Sequence, residues 1–289
     1  MSGPQSAILP DGRLHLNEGP IDLLIRADGK PTEVARSYAA AGEAFSGVLS
    51  ALVGELPTLK TQLRRLRPWL AGPVARRMVD ACWPHRGEFI TPMAAVAGAV
   101  ADHVLASMCR VSHLDRAFVN NGGDIAYHVS DGHPLMCGVV GDLQAPAVIG
   151  TIRLDGQMPV RGLATSGRVC KGRGGRSFSF GIADAVTVLA DTAAAADAAA
   201  SIVANAVDLP GHQQVIRMPA NSIDPDSDLG ARLVTWDVGD LTNAEVASAL
   251  DAGRRRAEAL RQAGLLWGAV LVLKGRMVVV GATADRLAA

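Results

Sequence analysis

The sequence predicts an α+β fold in which mainly antiparallel strands pack in layers with helices. Short apolar segments are closely spaced and separated by Gly, Asp and Pro turns, which is typical of an antiparallel meander. Segments with helical periodicity are interspersed among these strands. The 289 residues are 49% hydrophobic, enough to bury a substantial core. Because the chain contains no repeat and no long Pro/Gly/Ser linker, we expect a single domain over residues 1–289.

The N-terminal part is predicted to begin with two strands and to continue as helices. The strands cover residues 14–16 and 21–25, and Pro31 suits the first position of a long helix that ends near Leu52. An amphipathic helix should follow, in which basic and apolar residues alternate. Its cations are Lys60, Arg64, Arg65 and Arg67, and its apolar residues are Leu59, Leu63, Leu66 and Trp69. We interpret these cations as a solvated helix face rather than a nucleic-acid site, because they form one short cluster.

The remaining elements alternate between strands and helices. A helix of small residues is predicted over 91–108, with Thr91 as N-cap and Pro92 in the first turn. The predicted strands cover 117–120, 125–129, 135–139, 148–154, 160–164, 185–189 and 233–236. Further helices are predicted over 192–207, with Asp191 or Thr192 as cap, and over 243–263. A final hairpin pairs 269–273 with 277–280 around Lys274 and Gly275.

The charge balance and the apolar runs limit the partners that the chain can have. It carries 28 basic and 28 acidic residues, so nucleic acid or an anionic membrane would need a local patch. The apolar runs 93–101 and 264–273 are far shorter than the ~20 residues that span a bilayer, and the start does not resemble a signal peptide. We therefore expect a cytoplasmic protein with no membrane span. The four cysteines form no CxxC pair and are interpreted as buried thiols, with a zinc site or a disulfide framework as the alternative.

Three segments contain residues that could bind a ligand. The first is NNGGDI, which includes Asn121, Gly122, Gly123 and Asp124. A type I′ hairpin turn is the favoured interpretation, and a ligand-facing loop is the alternative.

The second segment is ATSGRVCKGRGGRS, residues 164–177. It combines hydroxyl groups, glycines and four cations, and the residues of interest are Thr165, Ser166, Gly167, Arg168, Lys171, Arg173 and Arg176. Backbone N–H groups and arginines can bind phosphate or carboxylate. A basic surface loop is an equally good interpretation.

The third segment places Asp197 and Ser201 four residues apart on a predicted helix, so they share one face. A carboxylate and a hydroxyl are hard oxygen ligands that suit Mg²⁺. Most such pairs are merely solvated, so the spacing alone is weak evidence.

Together, these segments resemble the ApbE-like superfamily in order and approximate spacing. VNNGGDI, GLATSG and AVTVLADTAAAADAAAS match its GGDI turn, its ATSG segment and its VTV strand followed by a D-A-x-A-[ST] helix. The upstream TPMAAVAGAVADHVL matches its small-residue helix, so the resemblance covers roughly residues 91–207. TPMAAVAG and FGIADAVTV are closest to an uncharacterised-protein (UPF series) branch. The resemblance implies a T-fold-related layered fold.

The resemblance also implies an activity and its cofactors. Flavin transferases of this superfamily bind FAD, hold Mg²⁺ with the D-x-x-x-[ST] pair and backbone oxygens, and transfer FMN to a Thr or Ser of an acceptor protein. The matching metal pair here is Asp197 and Ser201. Two family features are missing: residues 93–100 read MAAVAGAV without the lysine of GxAKG, and residues 177–184 read SFSFGIAD in place of an H-I-I-D-P segment. A protein that binds a cofactor or small molecule without catalysis is therefore the alternative function.

One further pair could carry acid/base chemistry. His85 and Glu88, in WPHRGEF, are spaced to meet on one turn. An ordinary surface turn is the favoured interpretation of this pair.

Overall fold

The structure is a computed structural model that describes residues 3–140, 148–168, 178–281 and 287–288. Its strands are β1 (Gln5–Ile8), β2 (Leu14–Glu18), β3 (Ile21–Asp28), β4 (Arg116–Asn121), β5 (Asp124–Val129), β6 (Leu135–Val140), β7 (Val148–Leu154), β8 (Gly162–Ser166), β9 (Ala185–Ala190), β10 (Val215–Pro219), β11 (Leu233–Val238), β12 (Gly268–Leu273), β13 (Arg276–Gly281) and β14 (Leu287–Ala288). Its α-helices are α1 (Pro31–Phe45), α2 (Val48–Leu59), α3 (Pro73–Cys82), α4 (Val96–Val111), α5 (Ala193–Ala206), α6 (Ala220–Ile223) and α7 (Asn243–Gln262). Mixed helices and antiparallel strands confirm the α+β class.

The chain divides into two compact units that are interleaved in sequence. The first comprises the described parts of 1–136, 153–164 and 190–198, and the second those of 137–152, 165–189 and 199–289. The expectation of one domain over the whole chain stays a prediction.

The first unit is built on an antiparallel sheet in which β1 to β5 pair in chain order. The start of β8 extends this sheet, because Ile125 pairs with Leu163. Burial alternates along β3 and β4, so Ile25 and Val119 are both buried and lie opposite each other in the register. Helix α4 packs against β4 and β5, and α1 and α3 pack on α4. A sheet with one face covered by helices accounts for the period-2 pattern of its strands.

The second unit pairs β12 with both β9 and β13 in antiparallel fashion, and α7 packs against β12 and β13. The β12–β13 turn has positive φ at Lys274 and Gly275, as a type I′ turn requires. Strands β10 and β11 form a separate ribbon, and β14, β7 and β6 form a small sheet in that order. Helix α7 begins with a capping box in which Thr242 and Glu245 satisfy each other's backbone N–H groups. A hydrogen bond from His212, together with those from Thr242, lowers the pKa of Glu245 to about 2.

Two helix predictions near the N-terminus need correction. The single helix predicted from Pro31 to Leu52 is wrong, because Gly47, with φ of +80°, separates α1 from α2. The amphipathic helix predicted over residues 59–69 is also wrong, since residues 61–72 form a loop. Pro68 lacks an N–H donor and disfavours helical geometry at Arg67, which explains why an alternating pattern does not become a helix here.

The predicted meander also needs refinement. Strands β6 and β7 do not lie between β5 and β8 in a sheet, because β5 pairs directly with β8. Strands β1, β10 and β14 and helices α3 and α6 were not predicted from the sequence. The other predicted strands and helices are confirmed, with ends shifted by a few residues.

Two helical stretches, 31–59 and 92–111, have the length and apolar composition to cross a membrane. The first is divided by Gly47 into α1 and α2. The second is α4 with its preceding 3₁₀ turn, and over half of it is buried. Core helices of globular proteins pass the same test of length and composition, so neither stretch is strong evidence for a membrane span.

Candidate functional site

The first turn of α4 contacts two of the segments that the sequence singles out. Asn121 follows Ala117 and Val119 on the buried face of β4 and is itself only 8% exposed. Its side-chain amide donates a hydrogen bond to the carbonyl of Ala97, with 3.1 Å between Nδ2 and O. Asp124, also buried, lies opposite Asn121 in the β4–β5 register. The alternating burial along β4 therefore places Asn121 on the face that packs against the start of α4, with Asp124 beside it in the register.

Gly122 and Gly123 form the tight turn between Asn121 and Asp124. Both have positive φ, +64° and +104°, and the N–H of Gly123 donates to Oδ1 of Asn120 over 2.8 Å. The favoured type I′ interpretation agrees with this geometry. No atom lies within 4 Å of a Cβ built at either glycine, so the outer surface of the turn is open.

Asp197 approaches the same turn of α4 from helix α5. Its carboxylate is 8% exposed and accepts a hydrogen bond from the N–H of Gly98, with 3.2 Å between N and Oδ2. Ser201 follows one turn later on α5 and is half-buried. The helix required by the D-x-x-x-[ST] spacing is thus present. Asn121 and Asp197, which are 76 residues apart in sequence, contact adjacent residues of α4.

Helices α4 and α5 each contribute a carboxylate that accepts hydrogen bonds from backbone N–H groups in the first turn of the other helix. Asp102 of α4 accepts hydrogen bonds from the N–H groups of Ala193 and Ala194, at 3.0 and 2.9 Å, while Thr192 accepts one from Ala195. In the other direction, Asp197 of α5 accepts a hydrogen bond from the N–H of Gly98 in α4. Burial raises the pKa of Asp102, and the two backbone hydrogen bonds oppose that effect. Carboxylates at both helix starts satisfy N–H groups that have no partner within their own helix.

Two glycines permit this close packing. A Cβ at Gly98 would lie 2.3 Å from the carbonyl oxygen of Ala193, and one at Gly162 would lie 2.1 Å from its nitrogen. The backbone of Ala193 therefore fits between α4 and β8 only because both positions lack a side chain. The roles of Gly98, Asp102 and Gly162 were missed from the sequence. An available signal was the solitary acid Asp102, one turn after Gly98 in an apolar helix.

In the second unit, the described part of the glycine-rich segment is anchored by hydrogen bonds. Thr165 and Thr187 are joined through their hydroxyls at 2.9 Å, and Ser166 is buried. Gly167 has φ of +143°, and a Cβ there would lie 2.5 Å from the carbonyl oxygen of Asp184. Gly167 is thus required by the backbone geometry.

Arg168 is held inside the second unit by two carboxylates. Its guanidinium lies 3.4 Å from Oδ1 of Asp184 and 3.8 Å from Oδ1 of Asp237, and its side chain is 25% exposed. An incoming anion would compete with these two internal partners. The other predicted cations of this segment, Lys171, Arg173 and Arg176, lie outside the described residues.

The His85 and Glu88 pair lies on one turn, where the N–H of Glu88 donates to the carbonyl of His85 over 3.0 Å. His85 is buried and Glu88 is exposed. Their assignment as an acid/base pair stays a prediction.

The candidate metal ligands, Asp197 and Ser201, both offer oxygen atoms. Within the described parts of the chain, no cluster of three or more His, Cys, Asp and Glu side chains could hold a metal ion. Cys82 is buried and Cys109 and Cys137 are half-buried, all three as free thiols, and Cys170 lies outside the described residues. The carboxylate of Asp197 and the hydroxyl of Ser201 suit Mg²⁺, which takes few protein ligands and completes its shell with water and phosphate oxygens.

Comparison with known proteins agrees with these motifs. A family model described as "AbpE bacteria" matches residues 6–279, nearly the whole chain. The chain belongs to the ApbE-like family. It is 36% identical over 195 residues to a UPF0280 protein of Methanopyrus kandleri, covering 64% of this chain and 69% of that protein. A UPF0280 protein of Methanothrix thermoacetophila is 33% identical over 58% of this chain and 65% of its own length. The predicted UPF branch is thereby confirmed.

The fold is shared with a solved member of the family. The crystal structure of apo flavinyl transferase ApbE from Pseudomonas stutzeri aligns with 99% of this chain and 98% of its own, with a TM-score of 0.50 and 10% sequence identity. This likeness confirms the predicted ApbE-like fold. At this identity it carries no information about which residues act on a substrate.

Proposed function

We propose that this ApbE-like protein binds a flavin nucleotide or a related phosphate-bearing cofactor together with Mg²⁺. The observation that carries the proposal is the meeting of two separate family motifs at one turn of α4. Asn121, from the GGDI turn, bonds to Ala97, and Asp197, from the D-A-x-A-[ST] helix, bonds to Gly98. The backbone of α4 supplies hydrogen-bond partners to both buried side chains, and a few polar groups fixed in this way beside one helix start suit a binding site.

The residues of helix α5, of the start of α4 and of the GGDI turn have distinct roles in this proposal. Asp197 and Ser201 hold Mg²⁺, and the metal, when bound, neutralises the negative charge of phosphate oxygens. The N–H of Gly98 fixes the orientation of the Asp197 carboxylate. Asn121 fixes the carbonyl of Ala97, and Gly122 and Gly123 leave room for a ligand to approach the turn.

The reaction proposed for the chain is Mg²⁺-dependent transfer of FMN from FAD to a Thr or Ser of an acceptor protein. The family membership supports it. Binding of the cofactor without catalysis is the second candidate, because MAAVAGAV supplies no lysine in the helix where transferases carry one. His85 and Glu88 remain candidates for proton transfer under the first function and have no role under the second.

A titration that compares FAD with riboflavin tests the binding proposal. Riboflavin shares the ring system but has no phosphate, so only FAD should gain affinity from Mg²⁺. We expect saturable quenching of FAD fluorescence that strengthens at least about tenfold when Mg²⁺ replaces EDTA, and no such change for riboflavin. FAD binding that is unaffected by Mg²⁺ would contradict the metal assignment. An absence of flavin binding under both conditions would contradict the ligand class.

Mass spectrometry of the reaction mixture separates the two candidate functions. Incubation with FAD, Mg²⁺ and a Thr-containing acceptor protein should yield an acceptor with the added mass of FMN and an equivalent of AMP. Binding without either product identifies the non-catalytic function.

A further inference from the structure

The loop between α2 and α3, residues 61–72, presents two large apolar side chains to solvent. Leu66 is 88% exposed and Trp69 is 85% exposed, more than any other large apolar side chain among the described residues. Leu63 and Leu70, which flank them in the sequence, are only 2% and 4% exposed. The loop is therefore anchored at two points, and between these points its apolar side chains are directed away from the protein.

Backbone hydrogen bonds fix the loop in this arrangement. The N–H of Leu63 donates to the carbonyl of Ile90 over 2.9 Å. At the other end, the carboxylate of Glu55 accepts from the N–H groups of Ala71 and Gly72. Since hydrogen bonds hold both ends of the loop against the first unit, the exposed positions of Leu66 and Trp69 are defined by the fold.

Three arginines with unneutralised charge surround Leu66. Arg64, Arg65 and Arg86 line an open depression together with Leu66, and in the described part of the chain none of the three has a carboxylate within ion-pair distance. Arg64 donates to the side-chain carbonyl of Gln62. Arg86 stacks over the ring of Trp83 at 4.6 Å. These contacts orient the guanidinium groups of Arg64 and Arg86 and leave their charge available.

The helix that leads into the loop continues the apolar surface. The exposed positions of α2 are Ser50, Ala51, Val53, Gly54 and Pro57, and none of them is charged. Its one acid, Glu55, is occupied by the loop N–H groups. Helix α2 and the loop that follows it thus expose apolar residues, and the loop adds the cations Arg64 and Arg65.

We propose that this surface, formed by α2, the loop 61–72 and Arg86, docks on an anionic phospholipid bilayer. Arg64, Arg65 and Arg86 pair with headgroup phosphates, while Leu66 and Trp69 enter the interfacial region. Tryptophan and arginine both favour this region, because each combines an apolar body with a polar end. The neutral chain has no long-range attraction to anions, and this local patch supplies one at short range.

Charge and shape disfavour the other occupants. A two-fold contact of this surface with a second copy would bring the cations of both chains into one interface, where like charges repel each other. An acidic protein would need to complement two side chains that stand almost entirely in solvent, whereas a fluid bilayer accepts them without shape complementarity. Nucleic acid has no apolar layer to receive Leu66. The proposal departs from the expectation of no membrane partner, because the cations around Leu66 form a local basic patch that the neutral charge balance does not reveal.

Flotation of the full-length chain with lipid vesicles tests the proposal. The chain should float with vesicles of phosphatidylcholine and phosphatidylglycerol and stay at the bottom with phosphatidylcholine alone. Replacing Arg64→Gln and Arg65→Gln together should weaken binding roughly 30-fold, since each basic residue near an anionic membrane contributes about fivefold. The matched control is Arg254→Gln with Arg255→Gln, which removes the same charge from exposed positions on α7 and should bind like the wild type.

Tryptophan fluorescence tests whether the loop itself enters the interface. Emission should shift to shorter wavelength on adding anionic vesicles, and Trp69→Phe should lose the shift while floating nearly as well. Equal flotation with neutral and anionic vesicles, equal loss in the α7 control, or a full shift in Trp69→Phe would overturn the proposal. Tighter binding to a single-stranded oligonucleotide or a poly-glutamate peptide than to the vesicles would also overturn it and assign the surface to that class of partner.

Discussion

Gly98 and Gly162 determine how closely the first unit can pack at its most constrained point. Each faces the backbone of Ala193, at distances where a methyl group has no room. Because the surrounding atoms belong to the backbone of α5, they cannot move aside as a flexible side chain would. The two glycines therefore fix where α5 starts relative to α4 and β8 within this unit, and this start positions Asp197.

The substitution Gly98→Ala tests this role at the residue scale. We expect it to reduce the free energy of unfolding by about 2–3 kcal/mol, because overpacking forces backbone shifts. The matched control is Gly42→Ala in α1, where no atom lies within 4 Å of the added Cβ. This control should be neutral or stabilise by up to ~1 kcal/mol. Urea unfolding of both variants is the measurement, and equal stability of the two would refute the packing role of Gly98.

The sequence predicts part of this arrangement. The run TPMAAVAGAVADHVL indicates a tightly packed helix, and α4 is such a helix. The partner of Gly98 was not predictable, because Ala193 lies 95 residues away and local periodicity carries no information about which elements meet. The same limit applies to Asp102, whose partners are the N–H groups of a helix that begins 91 residues later.

At the element scale, α4 and α5 stabilise each other through their N-terminal ends. Asp102 accepts hydrogen bonds from two N–H groups of α5, and Asp197 accepts one from an N–H group of α4. Local signals predict most elements, as in the Lys274-Gly275 hairpin, where turn chemistry and flanking apolar strands agree. They fail over 59–69, where basic and apolar residues alternate as in a helix but Leu63 and Leu70 anchor a loop. Tertiary anchoring there overrides periodicity, and Pro68 stops the helix.

The pH dependence of stability tests the Asp102 cap. Its pKa is raised in the folded state by burial, so the folded chain binds this proton more tightly than the unfolded chain does. The associated stabilisation is complete below the unfolded pKa near 3.8 and is lost as pH rises through the folded pKa. The wild type should therefore lose stability relative to Asp102→Asn as pH increases from about 3.8. A difference in the free energy of unfolding that is constant with pH would contradict the raised pKa.

Asp102→Ala complements this measurement at neutral pH. It removes both acceptor oxygens and leaves two N–H groups of α5 without their partner, so it should destabilise the chain by about 1–2 kcal/mol. Asp102→Asn retains one acceptor oxygen and should lose less. If the two variants are equally stable at neutral pH, Asp102 does not act as the cap of α5.

At the scale of the whole molecule, the proposed function depends on residues from widely separated segments. The family resemblance identified the GGDI turn, the ATSG segment and the Asp197 helix from their order, which composition or periodicity alone would not have done. The first and third of these segments meet at the start of α4. Arg168 was predicted as an anion ligand, and its ion pairs with Asp184 and Asp237 mean that an anion must compete for it.

Calorimetric titration of Mg²⁺ in the presence of FAD tests the central claim most directly. Asp197→Asn should lose Mg²⁺ affinity by at least about tenfold, because it removes the one full negative charge that the chain supplies to the metal. Ser201→Thr should bind like the wild type, Ser201→Ala should lose part of the affinity, and Asp102→Asn, which alters the facing carboxylate, should retain it. Full Mg²⁺ affinity in a folded Asp197→Asn variant would contradict the proposed metal site.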